Sequence, residues 1–251
     1  MVPWAAPDQV EHDLVLSRAL VEIFSEPALM RALAFRGGTA IHKLLLPAPQ
    51  RFSEDLDLVQ VAPGPIGDLM RTVRRRLDPL LGRSRFERSP ISHTVTYRFE
   101  SELPPARRLT VKIEINTREH FSVLGWQRRP FSVQSPWFVG HADVQTYAPD
   151  ELFGTKMRAL YQRRKGRDLY DLALGLERSL LDPDQVIRCF RHYMEQEGHT
   201  VTRQEYERNL RAKGRRLDFR GDITSLLAPD ARYDPDAALA LVIEQLVARL
   251  P

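Results

Sequence analysis

The sequence predicts an α+β fold (α/β in its front part), a sheet core flanked by helices and followed by an all-helical C-terminal region. Two observations carry this. Runs that read as strands are confined to the first part of the chain, at 52–61, 93–100 and 109–116. From Pro149 onward the texture changes to helical periodicity, through 150–164, 167–179, 183–197, 202–213 and 234–250, with almost no strand signal. A boundary is therefore expected near 146–149, giving 1–148 as the strand-containing core with its N-terminal helix and 149–251 as a helical domain.

The elements follow in order. Residues 8–33 carry Val10, Leu14, Leu20, Ile23 and Phe24 at helical spacing, with Pro27 interrupting before Leu29. Leu33-Ala34-Phe35 runs into Gly37-Gly38-Thr39 and a short amphipathic helix, which Pro47 and Pro49 end. Residues 52–61 alternate apolar and polar as a strand does, and 65–82 read as helix. Two β-branched runs, 93–100 and 109–116, flank a Pro104-Pro105 turn. The stretch 117–148, where aromatic and proline residues mix, is expected to be irregular.

Composition removes several classes. In 251 residues, 43% hydrophobic and 28% charged content is ordinary for a globular chain, which excludes disorder as the main state. Cys189 is the only cysteine, so neither an intramolecular disulfide framework nor a multi-cysteine metal site is possible. Cys189 itself sits in an apolar helical context and is expected to pack. The N-terminus lacks the pattern of a secretory signal, and no apolar run approaches the ~20 residues of a membrane span. A soluble, cytoplasmic protein is expected. The formal charge of +4 is compatible with an anionic partner. The P-loop, dinucleotide-binding, serine-hydrolase and zinc-protease motifs are all absent.

Chemistry concentrates in four blocks. The first is Phe35-Arg36-Gly37-Gly38-Thr39, where a strand is expected to turn into a helix. Glycines there let backbone N–H groups approach a phosphate, and the helix N-terminus favours negative charge. Thr39 is expected to cap the helix or to donate its hydroxyl to that phosphate. The second block is Arg51-Phe52-Ser53-Glu54-Asp55-Leu56-Asp57. In a strand, Ser53, Asp55 and Asp57 share a face, and two carboxylates so close repel unless a divalent cation offsets the repulsion. Hard oxygen ligands suit Mg²⁺, which takes its remaining ligands from water and substrate phosphates. Either block alone is more often a plain turn or a solvated strand face. Together, and in this order, they meet the physical requirement for holding a nucleoside triphosphate during phosphoryl or nucleotidyl transfer.

The third block, Lys112-Ile113-Glu114, offers Glu114 as a third carboxylate, either metal ligand or base, with Lys112 on the same face. The alternative is a surface Lys112–Glu114 pair on an edge strand. The fourth runs from Glu151 to Leu172. Between Lys156 and Arg167 it carries six basic residues and no acid. Asp168 and Asp171, on one helical face, are expected to pin arginines such as Arg164 and Arg167, with Arg163 beside them. Lys156 is the expected phosphate contact.

These four blocks, spanning about residues 30–175, closely resemble the AbiEii/AbiGii toxin family. Its members are nucleotidyltransferase-fold proteins of the DNA polymerase beta-like superfamily, the mycobacterial MenT-type toxins among them. The resemblance implies a mixed-sheet nucleotidyltransferase core and the toxin of a toxin–antitoxin or abortive-infection system, paired with an AbiEi-like antitoxin. It also implies transfer of a nucleotide from an NTP, with Mg²⁺ or Mn²⁺, to RNA, the tRNA 3′ acceptor end in some relatives, which blocks aminoacylation. Carried over by position, Asp55 and Asp57 match the metal-binding pair. Gly37, Gly38, Thr39 and Ser53 match the nucleotide-binding signature. Lys156 and Asp168 match the essential lysine and aspartate, with Arg167 and Asp171 beside them. In some relatives the serine matching Ser53 is phosphorylated by the antitoxin. Two other functions use similar machinery: nucleotidylation of a small molecule or protein, and non-catalytic NTP binding.

Overall fold

The structure is a computed structural model that describes residues 2–4 and 6–251. The chain opens with α1 (Pro7–Phe24) and α2 (Pro27–Ala32), each starting on a proline, whose fixed φ and missing N–H suit a first helical turn. Next come β1 (Leu33–Arg36), α3 (Gly37–Leu44), β2 (Asp55–Gln60), α4 (Gly67–Leu81), β3 (Arg85–Arg88), β4 (Ser92–Glu100), β5 (Arg108–Asn116), β6 (Trp126–Gln134) and β7 (Val139–Tyr147). The strands form one seven-stranded sheet in the order β3-β4-β5-β2-β1-β7-β6. Within it β2 runs parallel to β5 and β1 parallel to β7, and the other neighbours are antiparallel. The expected α+β core, a mixed sheet with flanking helices, is present.

Helices follow: α5 (Pro149–Gln162), α6 (Gly166–Glu177), α7 (Pro183–Gln196), α8 (Arg203–Gly214), α9 (Leu217–Gly221) and α10 (Pro235–Gln245), with two single turns of 3-10 helix. The chain divides into two compact units. The first comprises 1–122 and 126–147, the second 123–125 and 148–251.

In the first unit, period-two alternation sorts the sheet residues onto two faces. Leu56, Leu58, Val95, Tyr97, Ile113 and Ile115 are at most 1% exposed. Leu16, Leu20 and Ile23 of α1 and Val73 and Leu77 of α4 are buried in the same unit, α1 packing on β2, β5 and β7 and α4 on β4. Burying each such side chain contributes about 1.5–3 kcal/mol. The Tyr97 hydroxyl, at the end of this face, donates to Asp78 Oδ1 at 2.8 Å.

The expectation that 117–148 is irregular is wrong: the segment holds the β6–β7 hairpin. β6 is an edge strand with Gln127, Arg128 and Pro130 exposed and Arg129 half-buried, so it lacks an apolar alternation. Proline is tolerated there because an edge strand need not donate on its outer side. The other edge strand, β3, has all four residues exposed and left no signal for the same reason.

The second unit is a helical assembly around Leu152, Phe153, Met157, Leu169, Leu172, Phe190, Tyr193, Tyr206 and Val242. α5 and α7 meet at Gly154, where an added β-carbon would stand 2.6 Å from that of Cys189. Cys189 is buried and free, as its apolar context predicts, and burial pushes its thiol pKa up to about 12. Glu151, fully buried, accepts from the backbone N–H groups of Val123 and Leu124 and from the Tyr193 hydroxyl, which ties the 123–125 segment into this unit.

Candidate active site

The chain leaves β1 at Arg36 and turns at once into α3. Gly37 makes that turn with φ +80°, in the left-handed region that other residues rarely adopt. It also leaves room for Asp57: a β-carbon at position 37 would overlap Oδ2 of the Asp57 carboxylate and stand 3.1 Å from its Cβ. The first N–H groups of α3, which have no acceptor within the helix, therefore begin beside an acidic side chain.

Sheet register builds the rest. Arg36 lies opposite Asp57 across β1 and β2. On the other side Asp57 pairs with Glu114 and Asp55 with Lys112 across β2 and β5. Thr94 and Thr96 of β4 extend the two rows. Register partners share a face, so Arg36, Asp57, Glu114 and Thr94 form one row, with Asp55, Lys112 and Thr96 beside it. Asp55 and Asp57 are half-buried, and Lys112 and Glu114 are exposed. β5 is an interior strand, so the alternative of a Lys112–Glu114 pair on an edge strand does not hold.

Three neighbours support these rows. The Thr39 hydroxyl donates to the backbone carbonyl of Asp55 at 2.8 Å, tying the first turn of α3 to the start of β2. Thr39 therefore does not cap the helix, since α3 starts at Gly37 with no side-chain cap. Arg51, buried, donates to Ser53 Oγ at 2.9 Å and to the Phe52 carbonyl at 3.1 Å. Ser53 thus precedes β2 rather than lying on it. Arg36 is ion-paired with Glu119. Arg36 and Arg51 stand inside the two motifs, but nothing in their spacing marks them as supports.

Among the described residues no three His, Cys, Asp or Glu side chains are grouped to hold a metal. The three-carboxylate arrangement of Asp55, Asp57 and Glu114 is therefore not preformed. Asp55 and Asp57 remain a hard-oxygen pair, one of them seated in a cradle that a side chain at 37 would fill. Two carboxylates suit Mg²⁺, which keeps waters and binds substrate phosphates rather than needing an all-protein cage. The residues present fit such an ion.

The fourth block lies in the second unit. The Lys156 ammonium, on a side chain only 5% exposed, ends 2.8 Å from Asp168 Oδ1 and 2.9 Å from Asp171 Oδ2. It is therefore not the open phosphate contact expected of it. Arg163 makes a two-pronged contact with Asp168, Nε to Oδ2 at 2.7 Å and Nη2 to Oδ1 at 2.8 Å. Burial by itself would raise the Asp168 carboxyl, but Lys156 and Arg163 outweigh it and hold it below the usual aspartate range. Arg164 and Arg167 are not pinned by Asp168 and Asp171 as expected. Arg164 pairs with Asp218 at 3.2 Å and Arg167 with Asp222 at 3.7 Å, both acids coming from the α9 region.

A sheet whose acidic strand pair abuts a diglycine helix start offers what an enzyme handling nucleoside triphosphates needs, and the family is identified independently of that geometry. The family model described as nucleotidyl transferase AbiEii toxin, type IV toxin–antitoxin system, matches residues 18–242. Among solved structures, the nucleotidyltransferase toxin MenT4 from Mycobacterium tuberculosis H37Rv superposes with a TM-score of 0.68 at 19% identity, covering 99% of this chain and 88% of that one. JHP933 from Helicobacter pylori superposes with a TM-score of 0.59 at 17% identity, covering 96% and 92%. No curated protein matches the sequence. The chain belongs to the AbiEii nucleotidyltransferase toxin family, and it is an enzyme of the nucleotidyltransferase class.

Proposed function

We propose that this toxin transfers a nucleotide from an NTP to RNA, at the 3′ acceptor end of tRNA, and so blocks aminoacylation and translation in the cytoplasm. The observation that carries the proposal is the seating of the Asp57 carboxylate against Gly37, at the start of α3 and in register with Glu114. Asp55 and Asp57 would hold Mg²⁺ or Mn²⁺, which when bound neutralises triphosphate charge and polarises the α-phosphorus. The N–H groups of Gly37, Gly38 and Thr39 open a helix whose N-terminus attracts phosphate. Glu114, exposed and in register with Asp57, would accept the proton of an attacking 3′-hydroxyl.

In the helical domain, 149–251, Lys156, Asp168 and Asp171 act as a rigid support that fixes the half-exposed Arg163 guanidinium, with Arg167 on the following helix as a second cation for phosphate. Ser53, already touching Arg51, is the position at which phosphorylation by an AbiEi-like antitoxin would add charge of about −1.5 to −2 next to the acidic pair.

The test incubates the full chain with total RNA, total protein and each α-labelled NTP in turn, with and without EDTA. Metal-dependent label at tRNA 3′ ends supports the proposal. Label in protein or in a small molecule replaces the acceptor, and no label in any fraction leaves only NTP binding and overturns transfer.

A further inference from the structure

A cavity of about 1000 Å³ in the first unit lies beyond the carboxyl end of β5. Its walls carry Arg71, Arg74, Arg88 and Arg118 together with Phe86 and His93, and no carboxylate lines it. Arg71 and Arg74 project one turn apart from α4, Arg88 ends β3, and Arg118 follows β5 by two residues. Asp68 pairs with Arg71 at the rim, and Arg74 is held by Ser84 at 3.1 Å and Asp78 at 3.6 Å. Arg118 is braced by the Pro90 carbonyl at 3.0 Å. Arg88 and Arg118 have no ion-pair partner among the described residues.

Four guanidiniums spread over three elements, two of them unneutralised, repel one another and are maintained at a cost unless something anionic binds. Their spread also exceeds what one phosphate needs. Phe86, 47% exposed, stacks on His93 with ring centroids 5.8 Å apart. That is a flat platform beside a basic groove, the combination that binds single-stranded nucleic acid by phosphate contacts plus base stacking. His93 also lines the cavity, and its Nδ1 atom is buried with no hydrogen-bond partner among the described residues. Thr117, in the wall, is three residues past Glu114, about 10 Å of strand, which one or two nucleotides bridge.

We propose that this arginine-lined cavity binds a single-stranded segment of the acceptor RNA, stacking a base on Phe86 and pairing successive phosphates with Arg88 and Arg118. The inference rests on the reading of RNA as acceptor, but it concerns binding and is tested without any transfer step. Fluorescence anisotropy of a 5′-fluorescein-labelled oligouridylate twelve nucleotides long is measured with the full chain across a salt series. The double variant Arg88→Glu/Arg118→Glu should bind at least tenfold more weakly, with the log–log salt slope reduced by about 1.4, the value for two lost contacts on a single strand. Phe86→Ala should weaken binding by about 5- to 100-fold with the slope unchanged.

Equilibrium dialysis with labelled NTP and Mg²⁺ on the same variants separates sources of the anion. Unchanged NTP affinity supports an RNA site, whereas loss of NTP affinity in step with RNA affinity assigns the cavity to the triphosphate and overturns the proposal. So does RNA binding within twofold of the parent at an unaltered slope. Asp57→Ala should leave oligouridylate affinity intact, so a failure of nucleotidyl transfer and a failure of this site are told apart. All three substituted side chains of the cavity are exposed. A shifted thermal midpoint in the charge-reversal variant would leave Phe86→Ala, judged by affinity and slope, to decide.

Discussion

Gly37 and Asp57 share one volume: the space a β-carbon would take at position 37 is filled by the carboxylate at position 57. One residue makes the turn from β1 into α3, the other stands opposite that turn on β2. The backbone turn and the acidic site are consequently one feature. A change at either residue acts on both.

Gly37→Ala is therefore expected to cost about 1–3 kcal/mol, from a left-handed φ and from displacement of Asp57. Urea unfolding measures it. The same substitution in an Asp57→Gly background should cost less, because the clash is gone and only the φ penalty remains; equal costs in the two backgrounds would show that the two residues are independent. NTP transfer by Gly37→Ala should drop more than tenfold.

Asp57→Asn removes a charge that stands in register with Glu114 and two residues from Asp55. Like charges directly opposite on a sheet destabilise by roughly 0.2–1 kcal/mol, so thermal stability should stay level or rise. Nucleotidyl transfer should fall at least a hundredfold, since on the proposed reading a bound cation would lose one of its two carboxylates. A variant that unfolds, or one that keeps its activity, contradicts this arrangement.

Lys156→Met leaves Asp168 and Asp171, both fully buried, facing one another without their shared cation. Breaking a buried ion group by removing one partner costs about 3–5 kcal/mol. Loss of toxicity in Lys156 variants is thus expected to track unfolding of the helical unit, followed by circular dichroism. Asp171→Asn, which keeps a neutral polar group against Lys156, should cost less.

The Asp168 carboxyl is held below its ordinary value by Lys156 and Arg163 against the opposing effect of burial. A carboxyl with a lowered folded pKa stabilises at pH above its unfolded value, about 3.9, and that contribution disappears as pH falls through the lower folded value. Acid titration of the parent should show the helical unit losing stability below about pH 4. Asp168→Asn, already destabilised at pH 7, should show a shallower decline over the same range.

Thr39→Val removes a hydroxyl that ties α3 to β2 and leaves the Asp55 carbonyl without that donor. The expected cost is about 1 kcal/mol, with Thr39→Ser restoring most of it. If Thr39→Ser fails to restore stability in urea unfolding, the hydroxyl is not what matters.

Much of this was legible in the residue string, for physical reasons. A positive-φ turn and a close backbone approach demand glycine, and a hard cation demands neighbouring carboxylates. Gly37-Gly38 and Asp55-x-Asp57 therefore announce themselves locally. Strands that bury one face alternate, so β2, β4 and β5 were readable, as were the helices from Pro149 onward. Edge strands bury too little to leave such a trace, so β3 and β6 carry no local signal, while β7, an interior strand, buries Ala142, Val144 and Thr146, of which only Val144 is strongly apolar.

Pairing across the fold had no local signal. Six basic residues between Lys156 and Arg167 look alike on a helical charge count. Yet Lys156 is enclosed by two acids from α6, Arg163 grips one of the same acids, and Arg164 and Arg167 reach to Asp218 and Asp222 some fifty residues away. The sequence by itself determined the chemistry available: which residues can hold a cation, admit a phosphate or turn a chain. Only the tertiary structure decided which charges are spent on one another, because partner choice depends on distance and burial, and helix packing and strand register set both.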